Sequence, residues 1–150
     1  PENLVVDVFR GYTIINLVEE NKGVDLLSAL IYECKILYAL DAFLPGKEDF
    51  LKIRYTKEQL DWCFAYEKQI WKKIIDNSWL YGTDSKMINQ FIIEAPFTGT
   101  LPQESPSRAG AWLGWQMVRA YANDNDELTV KQILEEKDVG KILRSYKPPK

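Results

Sequence analysis

The sequence has no histidine among its 150 residues, and this absence excludes more chemistry than any other feature. Without imidazole the chain cannot form a Ser-His-Asp or Cys-His nucleophile pair, a histidine general base, or a zinc site with histidine ligands. Cysteine is almost as scarce, since Cys34 and Cys63 are too few for a structural zinc cluster. Both lie in apolar helical patterns, which are typical of buried thiols. We therefore expect this chain alone to bind no cofactor.

The sequence also lacks a strong charge and a long apolar run. With 19 basic and 22 acidic residues the net charge is -3, which offers no electrostatic reason to expect nucleic acid as a partner. No run of 18 apolar residues occurs, so we predict no transmembrane segment. The length and the 46% hydrophobic content predict one domain, residues 1–150, with a sizeable core. Because the chain starts at Pro1 without a signal segment, we expect it to be a fragment of a longer protein.

Hydrophobic periodicity predicts a mainly α fold of about six to eight helices around a Trp-rich core. Only residues 50–55 alternate weakly, as a short extended piece would. The proline-containing stretch 95–107 is predicted to be irregular, and a break at Gly11 would divide the first helical region. The predicted helical regions are 1–21, 24–44, 57–77, 106–122 and a short final helix ending near Tyr146.

Local signals mark where several helices begin. Thr56 with Gln59, and Thr129 with Gln132, have the spacing of capping boxes. Asp138 is positioned to cap the final helix. Pro106 suits the first turn of the 106–122 helix.

Three carboxylates lie on helix faces that should be buried. Helical-wheel positions place Glu33 and Asp41 within the apolar arc of the 24–44 helix, and Glu67 at the centre of the apolar stripe of the 57–77 helix. Burying an unpaired charge is costly, so each acid needs a partner or a function. A desolvated carboxylate has a raised pKa, as in general acids and metal sites, but a structural ion pair is the alternative in each case. For Asp41, a role at the helix end is favoured.

The 106–122 helix supplies the cations. Arg108 and Arg119 lie on this helix, which is apolar nearly all round and so central to the core. Gln116 and Arg119 share the face of Trp112, so the pairs Glu67–Arg119 and Glu33–Arg119 both remain open. Gly110 and Gly114, which are four residues apart, would let a second helix approach closely.

Several segments in order resemble the C-terminal half of the gliding-motility lipoprotein family GldB. The most specific are the tryptophan-rich helix and the closing segment, although Cys34 and Ser107 depart from the family's usual small residues. The segments are LSALIYECKILY at 27–38, YT at 55–56, LDW at 60–62, LYGTD at 80–84, APF at 95–97, SPSRAGAWLGWQMVR at 105–119 and SYKP at 145–148.

This resemblance implies an envelope lipoprotein that faces the periplasm or the outer membrane, is anchored through an N-terminal lipid absent from this chain, and has envelope proteins as partners. The family is similar to predicted zinc metallopeptidases with a His-Glu-x-x-His motif, which implies a zincin-like fold. Glu33 matches the position of the third zinc ligand in those peptidases. It could bind zinc only with histidines from upstream in a full-length protein.

Three hypotheses follow. In the first, the chain is a non-catalytic scaffold or interaction module in gliding motility or a related envelope process, with Glu33 and Glu67 lining a cleft. In the second, it is the C-terminal half of a zinc peptidase, with Arg119 or Tyr38 contacting the substrate or transition state. In the third, it is a generic helical binding domain whose buried acids pair with arginines.

Overall fold

Eight α-helices and no strand occur in residues 2–18 and 23–149, which are the residues described by the computed structural model. The prediction of a mainly α domain is confirmed. None of the described helices combines the length and the apolar character needed to cross a bilayer. The helices are α1 (Glu2–Asn16), α2 (Leu26–Phe43), α3 (Asp49–Ile53), α4 (Lys57–Asp76), α5 (Ser85–Ile92), α6 (Ala109–Asp124), α7 (Val130–Glu135) and α8 (Val139–Ser145).

The predicted helix starts at three positions are confirmed. In each capping box, at Thr56 with Gln59 and at Thr129 with Gln132, the threonine hydroxyl accepts from the backbone amide of the glutamine, and the glutamine side chain accepts from the threonine amide. Asp138 accepts from the Lys141 amide at 3.0 Å and so caps α8. These side chains satisfy amide groups that the first helical turn leaves without partners.

The prediction of an extended segment at 50–55 is wrong, because Asp49–Ile53 forms the short helix α3. Asp49 lies in its first turn and Lys52 in its last, where each charge complements the helix dipole. Arg54 ends the helix in the left-handed region at φ 64°. Over so few residues, apolar alternation does not distinguish a strand from a single helical turn.

Two other helix boundaries differ from the predictions. The first helical region is one helix without a break at Gly11, and it ends at Asn16; residues 1 and 19–21 of the prediction lie outside the described part. Helix α6 begins at Ala109, so Pro106 precedes it. The cause is Thr98, whose hydroxyl donates to the Pro106 carbonyl at 2.8 Å and accepts from the Ala109 amide at 3.0 Å.

Helices α2 and α6 form the centre of the core and make the most extensive helix–helix contact in the fold. Trp112 and Trp115 of α6 are fully buried. The other three tryptophans pack against this core from its edge, as the Trp-rich prediction required. Both cysteines are buried and free, as expected.

Candidate functional site

The predicted acids and arginines meet because α2 and α6 pack closely and run in the same direction. A Cβ atom on Gly110 would lie 2.7 Å from the Leu30 side chain, and one on Gly114 would lie 2.6 Å from the Cys34 thiol. Only glycine permits this approach. The predicted role of these two glycines in helix packing is therefore confirmed. At the far ends of the two helices, Arg119 reaches Asp41.

Arg119 lies at the centre of a cluster that joins three helices. Its Nε and Nη2 donate to the two oxygens of Asp41, each at 2.8 Å. Its Nη1 and Nη2 donate to Asp49 at 2.6 and 2.8 Å. Lys52 donates to Asp41 at 2.8 Å and lies 3.5 Å from Asp49. The Trp115 indole N–H also donates to Asp41 at 2.8 Å. We call these five residues the Arg119 cluster.

The charges of the Arg119 cluster stabilise one another. Burial acts to raise the pKa of Asp49, but the hydrogen bonds and positive charges of Arg119 and Lys52 together outweigh it, and the pKa lies below its usual value. Burial likewise opposes the charge on Arg119, yet the hydrogen bonds from both aspartates raise its pKa. The guanidinium also lies 3.8 Å from the centre of the Trp115 ring, as in a cation–π contact. The cluster therefore holds α2, α3 and α6 together.

Tyr38 lies beside this cluster and lines an open cleft of about 360 Å³ with Asp41, Arg119, Asn123 and Asp126. Burial and, to a smaller extent, the charge of Asp41 raise the pKa of the Tyr38 hydroxyl. Since the Tyr38 hydroxyl stays protonated and Asp41 and Arg119 are paired with each other, these three side chains offer polar contacts to whatever enters the cleft.

Glu33 lies at the opposite end of the α2–α6 contact, between two arginines. Its Oε2 atom is 3.7 Å from Nη2 of Arg10 and 3.9 Å from Nη2 of Arg108. Arg108 is buried and its other terminal nitrogen lies 3.9 Å from Glu94. Burial and the neighbouring charge of Arg108 lower the pKa of Arg10. Glu33 is thus the carboxylate shared by two close guanidinium groups, and we call these four residues the Glu33 cluster.

Glu67 and Gln116 take part in neither cluster. Glu67 is half-buried, and burial raises the pKa of its carboxyl, which accepts a hydrogen bond from the Tyr146 hydroxyl at 2.8 Å. Burial and the adjacent carboxylate raise the pKa of Tyr146 in turn. Gln116 donates back to the Trp112 carbonyl of its own helix at 3.4 Å. Neither of the two pairs considered for Arg119 is present.

The resemblance implies zinc only for a full-length relative with histidines from upstream, so the donor groups of the described residues were compared with what zinc requires. A zinc site needs three or four nitrogen, sulfur or oxygen ligands. No group of three or more histidine, cysteine, aspartate or glutamate side chains suited to a metal occurs among residues 2–18 and 23–149. Glu33, the predicted ligand, instead lies within 4 Å of two cationic groups.

The family model of the gliding motility protein GldB matches residues 1–148, nearly the whole chain. The chain belongs to the GldB family. No curated protein and no solved structure shows significant similarity to it. The resemblance drawn from the sequence segments is confirmed. As a member of the GldB family, the chain is an envelope-associated lipoprotein related to gliding motility.

Sequence reasoning missed several members of the clusters in this GldB-family chain. Asp49 and Lys52 were concealed by the incorrect extended interpretation, although their spacing of three residues is that of a helical ion pair. Arg10 lies on the same side of α1 as the buried Thr13, so a helical wheel of that region could have found it. Tyr146 could not be matched to Glu67, because nothing in the sequence relates two residues so far apart.

Proposed function

We propose that this GldB-family chain acts as a non-catalytic scaffold or interaction module in gliding motility or a related envelope process. It would face the periplasm or the outer membrane and have envelope proteins as its partners. The observation that carries this proposal is the pairing of Glu33 with Arg10 and Arg108. A carboxylate that neutralises two arginines is a structural ion and not a free ligand.

Electrostatics supports the same proposal. Two unit charges about 4 Å apart near a protein surface interact by about 4 kcal/mol, and a divalent ion is repelled about twice as strongly as a univalent one. A metal ion at Glu33 would therefore face two arginines that already repel each other; burial and, after it, the charge of Arg108 lower the pKa of Arg10. Only the removal of both arginines from the site would relieve this repulsion.

The other acids support the scaffold in a similar way. Asp41 and Asp49 accept several hydrogen bonds from Arg119, and Glu67 accepts one from Tyr146. Catalytic acids and bases need a proton that can be transferred near neutral pH. Asp41 and Asp49 are held by close cationic partners that join α2, α3 and α6, whereas the partner of Glu67 is a neutral hydroxyl that joins α4 to the segment after α8.

The test compares two variants in the native-length protein. Glu33→Gln removes the shared counter-ion, which leaves Arg10 without this acid and Arg108 with Glu94 alone, so we expect lower stability and reduced motility when it complements a strain lacking the protein. The double variant Glu33→Gln/Arg108→Gln removes one of the two arginines as well and should recover part of the lost stability and motility. Glu104→Gln, at an exposed position, is the matched control.

Metal analysis of the same preparations completes the experiment. We expect well below one zinc ion per chain in the wild type, and motility that follows the amount of folded protein. One zinc ion per chain that disappears in Glu33→Gln and does not return in the double variant would overturn the proposal. That result would favour the zinc peptidase instead, since no change at Arg108 can replace a lost ligand.

A further inference from the structure

We draw no further inference here: the strongest candidate, the pair of guanidinium groups in the Glu33 cluster, in which Nη1 of Arg10 and Nη2 of Arg108 are buried without a hydrogen-bond partner among the described residues, belongs to the site already described, and the carboxylates of Glu33 and Glu94 within 4 Å already balance its charge.

Discussion

Replacing Arg119 by methionine should destabilise the fold by about 3 kcal/mol. The variant keeps an apolar stem of similar length but removes four hydrogen bonds, two to Asp41 and two to Asp49. Asp41 keeps Lys52 and Trp115, whereas Asp49 keeps only Lys52 at 3.5 Å. Removing one partner of a fully buried ion pair costs about 3–5 kcal/mol. The three side chains are 20–28% exposed, which favours the lower end of that range.

Urea denaturation followed by circular dichroism measures this loss. Arg144→Met is the control, because Arg144 is 71% exposed and its ion pair at 3.8 Å should contribute less than about 0.5 kcal/mol. Arg119→Lys should recover only part of the stability, since an ammonium cannot bridge two carboxylates in the way that a planar guanidinium can. A loss below about 1 kcal/mol, or one equal to that of the control, would refute the reasoning.

The pH dependence gives a second check on the same variant. The folded pKa of Asp49 lies below its usual value of 3.8, so the stability that it contributes is present above that value. This stability is lost as the pH falls through the folded pKa. The difference in the free energy of unfolding between wild type and Arg119→Met should therefore be constant near neutral pH and become smaller in acid, below about pH 4. A difference that stays unchanged in acid would show that the ion pairs are not its source.

Two further predictions use the same denaturation measurement. Gly114→Ala should lower the free energy of unfolding by about 1–3 kcal/mol, because the new methyl group would lie 2.6 Å from the Cys34 thiol. Gly11→Ala, in open space within α1, should instead raise it by about 0.5–1 kcal/mol. Equal effects of the two substitutions would contradict the close α2–α6 packing. Burial raises the pKa of Glu67, so its contribution is present below pH 4.5 and is lost as the pH rises through the folded pKa. Glu67→Gln, which still accepts from Tyr146, should therefore be more stable than wild type at pH 7 and equal to it at pH 4, and an unchanged pH profile would contradict this.

Local patterns predicted what depends on neighbouring residues. The capping boxes at Thr56 and Thr129 were correct, because a side chain at the first position of a helix and an amide three residues later are held together by the helix itself. The extended interpretation of 50–55 failed for a related reason. A helix of five residues is stabilised mainly by the core that it covers, and Ile53 is buried there.

Helical wheels identified unusual acids but not their partners. Glu33, Asp41 and Glu67 were each predicted on buried faces, and the structure has none of them fully exposed. The favoured helix-end role of Asp41 did not include its pairing with Arg119, 78 residues away. Residues so distant in sequence meet only when their helices pack, and a wheel describes one helix at a time.

The sequence alone determined the helical class, the capped helix starts and the central place of α6, since these follow from composition, periodicity and short motifs; the family followed from the resemblance of its segments to GldB proteins. Only the tertiary structure decided which charges meet. That choice depends on the direction and register of α2 against α6, which the close contacts of Gly110 and Gly114 establish. It turned Asp41 into a partner of Arg119 and Glu33 into a counter-ion of two arginines. Carboxylates that look alike in a sequence acquire their roles from the cations that packing brings within reach.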